Sequence, residues 1–376
     1  MKAKILPNIF ISVAVLFAFT RLLAAGMSYG PQNFGNIPFV RPQPTFITFD
    51  APGAGTDPGE GTIPQAINPS GTITGTSIDV NFVFHGFLRA KDGTITTFDA
   101  NGAGTDPGEG TFVGSANGPA SPATINPAGA TTGTYVDANF VTHGFLRASD
   151  GTLTTFDAPS AVNGTNGQAI NPKGLILGFY NDASFVAHGF LREPDGTITA
   201  FDALGAVNGT VPFSLNPKGA VTGQSFDAGF NAHGFVRTPD GNVIGFDPTG
   251  STDTEPIDIN PAGAVTGSYL DASSVWHGFL RHPDGSIITV DIPGAGRGTF
   301  QGTIPIGINP AGVITGDYSD ADGVTHGFVR AKDCTITTFD ILGATGTEGV
   351  SLSPSGVITG NFSDGTGVVH GFLRIP

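Results

Sequence analysis

Seven histidines in this chain occupy the same pentapeptide, His-Gly-Phe-Leu/Val-Arg, and an aspartate stands six residues before each of them. The pairs are Asp79 with His85, Asp137 with His143, Asp182 with His188, Asp227 with His233, Asp271 with His277, Asp320 with His326, and Asp364 with His370. An imidazole beside a carboxylate is the equipment of general-base catalysis and of metal ligation. The repetition points elsewhere. Successive histidines lie 44 to 58 residues apart, the period of a repeat architecture, and ligands spread one per repeat could not gather around a single zinc ion. The expected role is one structural His–Asp hydrogen bond per repeat, which satisfies a half-buried polar group. A second carboxylate competes for each imidazole: the Asp that closes Phe-Asp at Asp50, Asp99, Asp157, Asp202, Asp247 and Asp340, with Asp291 following Val290.

The arginines that end the pentapeptides, Arg89, Arg147, Arg192, Arg237, Arg281, Arg330 and Arg374, are seven of the 16 Lys and Arg residues. Each could pair bidentately with a Phe-Asp carboxylate, or end its strand in solvent. One decapeptide, Gly-Ala-Gly-Thr-Asp-Pro-Gly-Glu-Gly-Thr, occurs twice, at 53–62 and 102–111. Its Asp57, Glu60, Asp106 and Glu109 project from Gly-rich backbone and could offer the oxygen ligands that Ca2+ takes. The spacing matches neither an EF-hand nor a Gly-rich nonapeptide, and a plain acidic loop is the other reading. No further cofactor is expected. The chain shows no nucleophile elbow, no HExxH and no phosphate loop. A glycosidase needs two carboxylates in unlike surroundings. Among the glutamates, Glu60, Glu109, Glu193, Glu255 and Glu348, the duplicated pair Glu60 and Glu109 has the clearest sequence logic, but in like surroundings.

These residues need strands to hold them. The first repeat contains Gln65-Ala66-Ile67-Asn68-Pro69-Ser70-Gly71, then 72–79, 84–89 and 94–99. Each block is short, rich in β-branched and aromatic residues, and bounded by turn formers. Asn-Pro-x-Gly separates the first two blocks and Asp-Gly the last two, both with hairpin chemistry. Cys334, the single cysteine, replaces the turn glycine of the sixth repeat and has no partner for an internal disulfide. Four antiparallel strands per period of about 45 residues describe a propeller blade. The repeats open on a lone fourth strand, Thr45 to Asp50, and end after a third strand at Arg374. The expected fold is all-β: a seven-bladed β-propeller of four-stranded antiparallel blades over 45–376, its ring closed by the N-terminal strand completing the last blade. In such a fold the loops from fourth to first strands, at 51–64, 100–123, 158–167, 203–212, 248–256, 292–305 and 341–349, lie on one face and carry the individuality of the chain.

Lys2 and Lys4, an apolar run from Ile9 to Phe19, and Ala24-Ala25-Gly26 have the layout of a secretory signal peptide over 1–25, followed by a linker over 26–44. Its removal would take the net charge from −15 to about −18, which excludes nucleic acid and anionic membrane as partners. A secreted, monomeric protein without a membrane span in the mature chain is expected. Thirty Phe residues argue for a packed core despite the high Gly and Pro content.

Seven tandem units of Ile-Asn-Pro-x-Gly, Thr-Gly, His-Gly-Phe-Leu-Arg and Asp-Gly-Thr-Ile-Thr-Thr-Phe-Asp resemble the extracellular repeats of the HAF family over residues 45–375. The family's label denotes His-Ala-Phe, whereas every copy here has His-Gly-Phe. The resemblance implies a secreted repeat protein and brings no activity with it. Taken with the loops, it points to a repeat scaffold or binding protein for a polysaccharide or an extracellular protein. The alternative is a propeller glycoside hydrolase or polysaccharide lyase.

Overall fold

Short runs of β-branched and aromatic residues, cut by Asn-Pro-x-Gly and Asp-Gly turns, cannot extend beyond a few residues before reversing. The computed structural model describes residues 43–116 and 121–376, and 28 strands of four to seven residues occur among them. The expected signal peptide and most of the linker lie outside the described residues. No helix among those described is long and apolar enough to cross a membrane.

The strands pair as consecutive antiparallel groups, and the fold is all-β and propeller-like. Unit 1 consists of Gly61–Ile67, Ile73–Ile78, Phe84–Arg89 and Ile95–Phe98, each paired with the next. Units 2 to 6 repeat this order over 110–156, 165–201, 209–246, 253–290 and 302–339. Gly346–Leu352, Ile358–Ser363 and Val369–Ile375 form unit 7, and Thr45–Phe49 pairs antiparallel with Val369–Ile375 from Thr45↔Ile375 to Phe49↔Gly371. Third strands meet the following first strands in single parallel bridges, Phe84↔Gly110, Ala187↔Gly209 and Trp276↔Gly302. Val369 of unit 7 bridges Gly61 of unit 1 in the same way.

First strands begin earlier than the sequence reading placed them. Gly61, Gly110, Gly209, Gly302 and Gly346 open strands inside what were expected to be loops. The misleading signal was Gly-Thr-x-Pro, which reads as a turn. Here Pro64, Pro212, Pro256 and Pro305 instead sit at register shifts against the second strand, where a missing N–H costs no ladder bond. The threonine of this motif has its own task. Thr62, Thr111, Thr165, Thr210 and Thr303 each accept, through Oγ1, the N–H of the first loop residue at 2.9–3.0 Å.

The Phe of every His-Gly-Phe is fully buried. In six units it meets edge-on the fourth-strand Phe of the preceding unit, as in Phe98 with Phe145 at 5.9 Å and 73° and Phe156 with Phe190 at 6.1 Å and 84°; before unit 6 that position is Val290. In six units the glycine between His and Phe is required by a Phe ring, and in unit 5 a Cβ on Gly278 would lie 2.4 Å from the Val290 carbonyl oxygen. A Cβ on Gly86 would lie 2.4 Å from the Phe98 ring, and one on Gly144 2.4 Å from Phe156. On the turn side, Asn68 Oδ1 accepts the N–H groups of Ser70 and Thr72, while its Nδ2 donates to the Asn126 carbonyl of unit 2 at 3.2 Å. Asn216, Asn260 and Asn309 pass similar bonds to Asn260, Asn309 and Ser353 at 3.2–3.3 Å.

Unit 2 departs from the others. After Gly110–Val113 the chain leaves the strand, and Ser121, 1 % exposed, donates to the Phe213 carbonyl of unit 4 at 3.0 Å. Ser351 of unit 7 donates to the Pro122 carbonyl at 3.5 Å, and Ile170 of unit 3 to the Ala123 carbonyl at 2.9 Å. Segment 121–123 therefore touches units 3, 4 and 7 at once, which places it at the centre where first strands converge. Ile257, Ile306 and Val350, all from first strands, form one buried apolar cluster.

Candidate functional site

Both aspartates reach each histidine. The imidazole Nδ1 lies 2.8–3.2 Å from the fourth-strand carboxylate in all seven units: Asp99, Asp157, Asp202, Asp247, Asp291, Asp340 and, for His370, Asp50. The Nε2 lies 3.3–3.7 Å from the aspartate six residues upstream. That upstream aspartate first closes its own turn: Asp137 Oδ1 accepts the N–H groups of Asn139 and Val141 at 2.8 and 2.9 Å, leaving Oδ2 for His143. One carboxylate thus fixes the turn between second and third strands and steadies the imidazole that leads the third strand. Hydrogen bonds from Asn231 lead the causes that hold Asp227 down to about 2. The Asp247 carboxylate leads those that raise His233 above its ordinary 6.5.

In five units an aromatic ring of the second strand stacks on the imidazole, Tyr135 on His143 at 4.9 Å among them. In units 1 and 4 the strand partner is Ser77 or Ser225, and the uncovered His233 side chain is 42 % exposed. The arginines take neither arrangement expected of them. Each of Arg89, Arg147, Arg192, Arg237, Arg281 and Arg374 places its guanidinium 4.9–5.2 Å from the centroid of the preceding unit's fourth-strand Phe. A planar cation over an aromatic face needs no carboxylate, and burial lowers the Arg89 pKa despite attraction from Asp92. Arg330 donates to Cys334 Sγ at 3.0 Å, and Cys334 holds the turn position at φ 68°.

The duplicated loops do not present their glutamates. Glu60 and Glu109, each 1 % exposed, accept the N–H groups of Asp57 and Asp106 at 2.9 Å. They fill the space beside Gly55 and Gly104, where a Cβ would come within 2.0–2.1 Å of a carboxylate oxygen. Asp57 and Asp106 remain exposed, and among the described residues no group of three or more His, Cys, Asp or Glu is placed to hold a metal ion.

Two features escaped the sequence reading. The first is a set of carboxylates on the inner strands. Directly after the first-strand Thr, where other units have Ile63, Phe112, Asn166, Val211 and Ile304, units 5 and 7 place Glu255 and Glu348. Burial, aided by Asp253, pushes Glu255 up to about 7. Burial and repulsion from Glu348 hold Asp317 well above the carboxylate range, and Asn361 donates to Glu348 at 3.1 Å. Two such carboxylates facing each other favour sharing one proton. Asp258 joins three units, accepting from Ser214 at 2.7 Å, Ile259 at 2.9 Å and Ile308 at 2.9 Å. A broken repeat position was the available signal.

The second is an apolar loop face. Among the described residues, eleven of the fifteen exposed large apolar side chains lie in the loops before first strands or the turns between second and third strands. Phe82, Phe140, Phe185 and Phe230, 45–73 % exposed, hold φ between 58° and 63°, a conformation that costs an L residue about 1–2 kcal/mol. On the same face, a cavity of about 240 Å³ opens among Trp276, His277, Asp291 and Arg297.

No family model matches the chain, and no curated protein matches it. Solved structures do. The virginiamycin B lyase of Staphylococcus aureus superposes with a TM-score of 0.59 at 15 % identity, over 89 % of this chain and 100 % of that one. A streptogramin B lyase gives 0.53 at 15 %, over 89 % and 98 %. The β-propeller domain of the Trilobed protease from Pyrococcus furiosus gives 0.52 at 8 %, over 83 % and 95 %. At these identities the likeness concerns the fold, and the fold of this chain is similar to β-propellers.

Proposed function

We propose that this chain is a seven-bladed propeller whose last blade is completed by Thr45–Phe49, and that it serves outside the cell as a binding scaffold, taking a polysaccharide or an extracellular protein on its loop face. The single observation that carries the reading is the asymmetry of the two sides. Turns between first and second strands repeat almost unchanged, whereas the opposite loops vary in length and hold most of the exposed apolar surface. Contiguous apolar exposure beyond scattered residues marks interaction sites. The signal-peptide layout read in residues 1–25 and the resemblance to extracellular repeats support the compartment.

A second reading, a propeller glycoside hydrolase or polysaccharide lyase, draws on Glu255 and on the Asp317–Glu348 pair, because a carboxyl kept protonated near neutrality is what an acid catalyst needs. A glycan array on the purified chain, followed by assay of every bound glycan for released or unsaturated sugar, separates the two. Binding without turnover supports the scaffold. Turnover that Glu255→Gln abolishes supports the enzyme.

A further inference from the structure

The turn between second and third strands is built identically in all seven units. The upstream Asp accepts the N–H of the residue three positions on, at 2.9–3.1 Å, and that residue is left-handed throughout. Units 5, 6 and 7 fill the position with Ser274, Gly323 and Gly367. The fold therefore asks for an N–H and a positive φ, which glycine supplies without strain. Units 1 to 4 instead place Phe there, with the ring turned to solvent. Unit 5 has a substitute. Phe300, φ 59° and 64 % exposed, comes from the loop before unit 6 and donates its N–H to the Ser274 carbonyl at 2.7 Å. At the equivalent loop position the duplicated decapeptides have Gly59 and Gly108, which make the same bond to Gly367 and Phe82. Five consecutive units thus carry one strained, exposed Phe each, from two different backbone positions, and the remaining two carry none. Strained backbone kept where folding does not need it points to function.

Charge identifies the partner. Among the described residues, Arg297 is the one Lys or Arg in the loops of this face, and the others lie at the opposite turns or the strand ends leading to them. The fourth-strand aspartates stand around the same face with 40–54 % of each side chain exposed. Resting on the binding-scaffold reading, we infer that the arc of Phe82, Phe140, Phe185, Phe230 and Phe300 docks a polypeptide segment that alternates Arg or Lys with apolar side chains. The apolar groups and guanidinium planes lie on the rings, the cations meet the aspartates, and the gap at units 6 and 7 leaves an arc suited to an extended segment rather than a ring-shaped partner.

The test titrates the full chain with a short synthetic peptide alternating arginine and leucine, against versions with glutamate for arginine and with serine for leucine. A triple variant, Phe140→Gly, Phe185→Gly and Phe230→Gly, removes the rings and keeps the turns, with thermal melting as the folding control. The expected result is binding of the arginine–leucine peptide alone, weakening with added salt and falling about tenfold or more in the folded triple variant. Equal binding by wild type and variant, or no binding by wild type, overturns the inference. A neutral glycan that binds wild type and loses affinity in the variant overturns the basic partner and keeps the binding face. A ligand that binds wild type and variant alike, yet is lost on substituting Lys91, Lys173 and Lys218 at the opposite turns, overturns the binding face itself.

Discussion

At the residue scale, the glycine of His-Gly-Phe is a position that packing restricts. The Phe156 ring crosses directly over Gly144, so Gly144→Ala would push a methyl group to 2.4 Å from it. Overpacking of this kind costs about 1–3 kcal/mol, and chemical denaturation of the variant should show a loss in that range. A departure from His-Ala-Phe is thus explained by what lies above the glycine. Glu255 makes the opposite case, a residue the fold tolerates at a cost. Its pKa is raised from the ordinary 4.5 to about 7, so the protonated form suits the folded chain, and stability is lost as the pH rises through 7. Glu255→Gln should leave the melting temperature unchanged at pH 5 and raise it at pH 8. A variant that melts lower at both would place the carboxylate in an unrecognised ion pair.

At the scale of the element, the hairpin of second and third strands is held from both ends of one imidazole. Asp137→Ala removes two turn hydrogen bonds and the Nε2 contact of His143 together. Asp57 lies exposed on its loop and its carboxylate closes no comparable hairpin turn. The melting temperature should therefore fall further for Asp137→Ala than for Asp57→Ala, and equal values would remove the clamp. The clamp also predicts a pH window. The Asp227 contribution is complete above the ordinary 3.8 and lost as pH falls through about 2. The His233 contribution is complete below 6.5 and lost as pH rises beyond it, because its folded pKa is raised. Stability from unit 4 should peak between these limits, and His233→Gln should flatten the alkaline limb of a melting-temperature profile. The elements themselves were legible, since Asn-Pro-x-Gly and Asp-Gly mark their turns. The starts of the first strands were not, because Gly and Pro at a bulge look the same in sequence as Gly and Pro in a turn.

At the scale of the molecule, Thr45–Phe49 covers the edge of Val369–Ile375 and brings Phe46 against Phe339 and Phe372 at 6.0 and 6.3 Å. A chain beginning at residue 51 would expose that edge, and unpaired edges invite association. Such a truncation should lower the melting temperature by several degrees and broaden the size distribution in light scattering; a monomer with unchanged melting would show that the first strand is dispensable. The sequence by itself determined the repeat, its four strands and turns, and the residues of the His–Asp clamp, because local hydrogen bonding and side-chain alternation act over a few positions and recur seven times. Tertiary structure decided what depends on neighbours distant in the chain. It set six of the seven arginines on the Phe rings of preceding units, turned Glu60 and Glu109 inward, brought 121–123 to the centre, and set Asp317 against Glu348. It also turned the phenylalanines of the turns to solvent on one face, since only the packing of one unit on the next gives separate repeats a common surface.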